Sequence, residues 1–481
     1  MKSHIKNIIL AILLILIAIG HVYAISLEPY DELWNFQHIY KLHLGSTIYS
    51  DVNVIITPFF YFIGFLFLKI FRFSIVSFRY FNICIVFLFF FILYKIFKNL
   101  KVSKHLNFLF LSLILIQIYS VINGGANYNM LSNLFVLLGI YSYLKLDKNK
   151  YLSYLQGFII FLVFFTKQNI GIYYACSILI YEFIYRKNIA NYLLNILKKG
   201  ITFSIPLAIT CIIFFKNNIL KDFINCTFGG LLDFSSSNII ISTAPHIAIM
   251  LLIILTLYFY IIFSKETYLK NIITTERRKH LHLIGIVTIG ISLSIFPIVN
   301  TSHLLYVFPF FAIILFYFLD FALLEELIDT EEKAQKAITL TILILLFVAV
   351  KIWGTYFVER QNNIRVADIN NPFNNTILSS DNFNKMNTMV DYINSQNSLK
   401  KNVIIISFDS ALSMLPQKQC NNYFDVVFNG NLGYNGEDTL INIIKNSPNT
   451  EFLIPTNNSD CFWQESTTIR NFIVENLEKT R

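Results

Sequence analysis

Apolar runs of about 16 to 22 residues recur from residue 8 to about residue 357, separated by short basic clusters, and this leaves few folds open. A helix of about 20 apolar residues crosses the roughly 30 Å hydrocarbon core, whereas barrel strands would alternate over about ten. The chain of 481 residues is 55% hydrophobic and only 14% charged. Its mean hydropathy is +0.58, and soluble domains carry roughly 25% charged residues. The expected class is an all-α polytopic membrane protein.

A net charge of +9 would suggest nucleic acid in a soluble domain. Here the Lys and Arg residues sit between apolar runs, so they read as topology signals and no nucleic-acid partner is expected. The cytoplasmic side of a membrane carries the basic excess. With Lys2 and Lys6 inside, residues 26–75 begin outside, and the cluster Lys95, Lys98, Lys101 and Lys104 is inside. Counting residues 54–71 as a crossing would invert that cluster, so this stretch is expected to form an interfacial or re-entrant helix. The pattern then gives about 11 transmembrane helices plus interfacial helices, with the N-terminus inside and the first run (8–25) retained as a span.

Residues 1–357 form the expected membrane domain and 358–481 a small C-terminal α/β domain outside. The latter is polar and Asn-rich, with short apolar runs "NVIIIS", "FDVVFN" and "TEFLIP". Six cysteines lack CxxC or His/Cys spacing, which argues against a zinc site; Cys420 and Cys461 could pair if they lie outside. Heavy use of Ile, Asn, Lys and Phe points to a bacterial chain and its cytoplasmic membrane.

Under this topology the unusual polar stretches "EPYDE", "YSD", "NGGANYN", "TKQN" and "NTSH" all fall on the outer side. Ionisable groups near a bilayer are costly and mark sites. Asp31 is the candidate working carboxylate; a helix N-cap is its alternative reading. Lys167 sits between two apolar runs with almost no loop and would meet an anionic headgroup, or else snorkel. Arg79 shares that ambiguity, and His303 is either a ligand residue or the start of a helix.

The stretch "DELWNFQHIYKLHLGSTIYSDVNVIITPFFYF" resembles the acidic first outer loop of the C-type (GT-C) glycosyltransferases, in the manner of the polyprenyl-phosphate-sugar-dependent and protein mannosyltransferase-like families. Asp31, Glu32, Gly45, Tyr49, Asp51 and Pro58 carry the resemblance. Arg79, Tyr128, Lys167, His303 and Pro309 fall where such enzymes hold similar residues. Two departures stand out: "NGGANYN" holds no acidic residue, and no arginine precedes the "NTSH" histidine.

The resemblance implies a membrane glycosyltransferase that moves a sugar from a polyprenyl-phosphate donor to an extracytoplasmic glycan, lipid or protein acceptor, with inversion. Asp31 would be the catalytic base. Glu32, Tyr49, Asp51, Arg79, Tyr128, Lys167 and His303 would bind substrate, and membrane lipid would surround the spans. Asp31 and Glu32 together could hold a divalent cation, Mg or Mn, as an optional cofactor. Two other classes compete: a polytopic transporter or flippase, which should show midplane charges or repeats, and an O-antigen polymerase or ligase, which relies on a late outer loop.

Overall fold

The computed structural model describes residues 3–24, 31–103, 106–114, 125–145, 151–237, 239–242, 245–263, 275–322, 331–367, 371–405, 436–447, 449–453 and 467–477. Cys420, Cys461 and the run "FDVVFN" lie outside them.

Helix α1 (Ser3–Ala24) is followed by α2 (Asp31–His43), α3 (Phe59–Phe71) and α4 (Ile75–Asn99). Then come α5 (Tyr128–Tyr143), α6 (Leu152–Thr166), α7 (Gln168–Ile184) and α8 (Ile189–Lys216). The second half of the bundle is α9 (Pro245–Phe263), α10 (Thr275–Leu293), α11 (Thr301–Ala322) and α12 (Glu331–Asn362). Among the described residues four helical segments are long and apolar enough to cross a membrane: Ile75–Asn99, Ile189–Lys216, Thr301–Asp320 and Thr339–Asn362. The protein is a multi-pass helical membrane protein.

Short polar side chains start several of these helices by satisfying orphan N–H groups. Ser74 Oγ accepts from Ser77 N (3.2 Å) before α4, and Asn188 Oδ1 accepts from Asn191 N (2.8 Å) before α8. Asn127 Oδ1 accepts from Asn129 N (2.7 Å) before α5. Pro58 stands at the start of α3, which has 13 residues. At 1.5 Å per residue it rises only about 20 Å, short of the roughly 30 Å core.

The helix expected over 54–71 is therefore shorter than read. Residues 54–57 run as an irregular segment, because Pro58 cannot continue a helix backward. They are pinned against the α6–α7 junction instead: Thr57 Oγ1 donates to Phe164 O (2.8 Å), and Gln168 Nε2 donates to Ile55 O (2.8 Å).

One apolar core runs through the helices, rich in fully buried aromatics such as Phe36, Phe60, Phe78 and Phe89. Helix α8 is mostly uncovered by protein, exposing Leu193, Leu197, Ile201, Ile205 and Ile209 along one face, as a lipid-facing helix would. Two connections meet as a short parallel ladder. Strand β1 (Ile240–Ser242) pairs with β2 (Ile298–Asn300), in register Ile240↔Ile298 to Ser242↔Asn300.

After α12, β3 (Ile364–Arg365) pairs antiparallel with β4 (Ile377–Leu378), and α13 (Ser380–Ser398) follows. Strand β5 (Asn402–Ile405) pairs in parallel with β6 (Thr450–Leu453), alongside α14 (Gly436–Lys445) and α15 (Thr467–Asn476). The boundary expected at 357 falls inside α12. Beyond it, Val366, Phe373, Leu378 and Met386 belong to the core of the helical bundle. Ile75 N also donates to Pro372 O at 2.9 Å. The change from apolar to polar composition thus precedes the end of the packed unit.

Candidate functional site

The starts of α2, α5, α7 and α11 meet at one end of the bundle, and each brings a polar side chain. Asp31 is the first residue of α2, where an acidic group is favoured by the helix dipole. Its Oδ2 accepts from Asn127 Nδ2 at 2.8 Å. Because Asn127 Oδ1 simultaneously caps α5, the amide is fixed in one orientation. A single side chain therefore sets both the helix start and the carboxylate. Burial pushes the Asp31 carboxyl up to about 6, against the lowering effects of the Lys167 charge and the Asn127 hydrogen bond.

Lys167 is the single extended residue between α6 and α7 (φ −153°, ψ 111°). The two helices meet so closely there that a Cβ on Gly171 would lie 2.3 Å from Phe164 Cα. With the backbone fixed from both sides, Lys167 Nζ donates to Asn129 Oδ1 (2.5 Å) and stands 5.4 Å from the centre of the Tyr128 ring. Burial draws the ammonium down to about 8, with the Asp31 charge opposing.

His303 lies in the first turn of α11. Asn300 Oδ1 accepts from both His303 N (2.9 Å) and His303 Nδ1 (2.7 Å). Lys167 and His303 line a common narrow cleft with Asn129, Asn133, Ser294 and Tyr306.

Asp31, Tyr128, Lys167 and His303 are thus brought together from stretches up to 272 residues apart, from residue 31 to residue 303. Four other expected residues do different work. Glu32 and Arg79, read as substrate contacts, hold each other. Arg79 Nε donates to Glu32 Oε1 (2.6 Å) and NH2 donates to Oε2 (2.8 Å), with both residues 1% exposed. A third bond runs from Arg79 NH1 to Val22 O (3.1 Å), so the pair ties α1, α2 and α4. This bidentate geometry is the strong form of such pairing.

Tyr49 is buried, with φ 72°, and its hydroxyl donates to Ile56 O (2.9 Å). Asp51 is exposed and closes a turn by accepting from Thr47 N (2.7 Å). Both shape the loop that leads to the pinned segment 54–57, through bonds within that loop.

The acidic pair does not suit a divalent cation, because the guanidinium of Arg79 already covers both Glu32 oxygens. Among the described residues no group of three or more His, Cys, Asp or Glu side chains converges. Positive charge at this site comes from Lys167.

Sequence reasoning passed over Asn127, Asn129, Asn133, Asn300 and Gln168. They lie within or beside the quoted polar stretches, but asparagine before a helix reads first as a cap. Gly125 is also part of the construction. Its φ is +71°, and an added Cβ would stand 2.7 Å from Glu32 Cβ, so glycine lets this loop close on the start of α2.

No known protein family and no curated protein matches the chain. Solved structures similar to it include two of one protein. ArnT from Cupriavidus metallidurans bound to undecaprenyl phosphate is 13% identical, with a TM-score of 0.46, covering 66% of this chain and 61% of that one. The same protein in the apo state is 12% identical, with a TM-score of 0.45, covering 65% and 59%. The chain spans less than two thirds of the length of ArnT.

Proposed function

We propose that the protein is an inverting membrane glycosyltransferase using a polyprenyl-phosphate-linked sugar, with its active site on the extracytoplasmic face of the cytoplasmic membrane. The observation that carries this reading is the pairing of a poised carboxylate with a fixed ammonium: Asp31 held by Asn127, and Lys167 held by Asn129, two residues on at the same helix start.

The chemistry uses both groups. The acceptor hydroxyl gives its proton to Asp31 as its oxygen bonds to the anomeric carbon from the face opposite the phosphate. The bond from that carbon to the phosphate oxygen breaks, and the electron pair leaves with the phosphate, whose added charge Lys167 stabilises. Phosphate is already a good leaving group, so no general acid is needed. In-line displacement inverts the anomeric centre. The Tyr128 ring holds the lysine over its face, and the apolar helices accommodate the polyprenyl tail. Glycan, lipid or protein acceptors all supply such a hydroxyl. No step passes through a metal ion.

The test is release of polyprenyl phosphate by purified protein from a panel of polyprenyl-phosphate sugars, with cell-envelope glycans as acceptor. Wild type releases it, while folded Asp31→Asn and Lys167→Ala do so at rates lower by about 10²- to 10⁴-fold. Normal turnover by Asp31→Asn would remove the carboxylate from the reaction.

A further inference from the structure

The cleft beside Lys167 contains two hydrogen-bond acceptors that nothing in the reaction above uses. Asn133 is 1% exposed. Its Nδ2 donates to Tyr306 O (3.0 Å), which fixes the amide, and its Oδ1 has no partner among the described residues. A buried acceptor left without a hydrogen bond is costly, so its retention calls for an explanation.

The second acceptor follows from hydrogen-bond logic. Asn300 Oδ1 takes the backbone N–H of His303 and is therefore the amide oxygen, so the His303 Nδ1 facing it must be the N–H donor. In the neutral ring, Nε2 then carries a lone pair and accepts. Both residues line the cleft, Asn133 buried and His303 largely so.

The cleft is too narrow for a sugar ring and wide enough for about one water molecule or hydroxyl group. Its lining holds one cation, Lys167, and no carboxylate. An amine entering would meet the lysine charge, and a carboxylate would meet two acceptors. An uncharged hydroxyl suits both Asn133 and the lysine: it donates to Asn133 Oδ1 and can accept from Lys167.

We propose that this cleft is a slot for one hydroxyl of the transferred sugar, with Asn133 Oδ1 as its acceptor and His303 Nε2, on the same lining, receiving a neighbouring hydroxyl. A charged substituent is disfavoured at that position of the sugar. This rests on the transferase reading and adds to it the class of sugar and two specificity-determining residues. A site built to bind a hydroxyl rejects the analogue lacking it far more strongly than an apolar pocket rejects a methylene.

The test uses the full-length protein in lipid nanodiscs. Donors are undecaprenyl-phosphate-linked glucose, mannose, galactose and arabinose, with glucuronate and an aminodeoxy sugar as charged counterparts, followed by each monodeoxy form of the best donor. The expected result is preference for a neutral donor and a fall of about tenfold or more in kcat/KM at one deoxy position. Asn133→Leu loses the same factor on the parent sugar and nothing further on that deoxy donor. His303→Phe behaves likewise at the adjacent hydroxyl. Bare undecaprenyl phosphate, which has no sugar, inhibits wild type and Asn133→Leu equally.

Equal use of all deoxy donors, preference for a charged sugar, or equal weakening of bare undecaprenyl phosphate by Asn133→Leu overturns the slot alone. Failure both to consume any donor and to bind bare undecaprenyl phosphate overturns the transferase reading and the slot with it.

Discussion

Asp31 and Lys167 are drawn toward each other in pH, the carboxyl up to about 6 and the ammonium down to about 8. Transfer should rise as pH passes about 6, where Asp31 loses its proton and can act as base. It should fall above about 8, where Lys167 loses its charge. Initial rates across pH 5 to 9.5, on the order of those two values, give a bell; a flat acid limb would exclude Asp31. The same shift has a stability sign. The folded carboxyl value lies above the unfolded 3.8, so ionised Asp31 opposes folding once pH exceeds that range. Asp31→Asn should therefore melt at or above the wild-type temperature at neutral pH while losing turnover. Arg79→Met should do the reverse to the fold: it strands Glu32 in a dry site at a cost of about 3–5 kcal/mol, read as lost folded yield or a lowered melting temperature. Composition and the outer-side pattern pointed to Asp31, Lys167 and His303. Nothing in the spacing of Glu32 and Arg79 showed that they would face each other, since their contact depends on how α2 packs against α4.

Helix starts carry most of the local instruction. Ser74, Asn127 and Asn188 each start a helix, because their side chains satisfy N–H groups that the helix leaves over. That Asn127 also holds Asp31 was not legible, since a cap needs only its oxygen and the use of its nitrogen is decided by tertiary contact. The α6–α7 junction was read as nearly loopless and is a single residue. Its closeness makes a prediction at this scale. Gly171→Ala drives a Cβ against Phe164 backbone at 2.3 Å, whereas a Cβ on Gly200 meets nothing within 4 Å. Gly171→Ala should part the two helices, displace Lys167, and lower both melting temperature and transfer rate. Gly200→Ala, inside a helix and facing open space, should lower neither. Matching effects in the two variants, assayed side by side, would show that close approach is not what fixes the lysine.

For the whole molecule, apolar content alone established a multi-pass helical bundle, while the side of each loop rests on basic clusters. A reporter inserted at Lys101 should label from the cytoplasm, and labelling from outside would overturn the arrangement in which α3 does not cross. The division of the chain was less legible. Polar composition begins near residue 358, but Val366, Phe373 and Leu378 still pack into the bundle. Apolar residues scattered through an Asn-rich stretch give no periodic signal that they belong to a distant core. Truncation after Ser398 should leave a folded membrane unit, and truncation after Asn362 should not, as judged by monodisperse purification in detergent.

The buried bond between Glu32 and Arg79 spans 47 residues of sequence, and synthesis delivers its two ends at different times. As the nascent chain emerges, the carboxylate of α2 is made first and has no guanidinium to meet until α4 has entered the membrane. The segment after α1 therefore cannot settle when it is translated; it must wait for α4. The order in which this end of the bundle assembles is thus set by the salt bridge between α2 and α4.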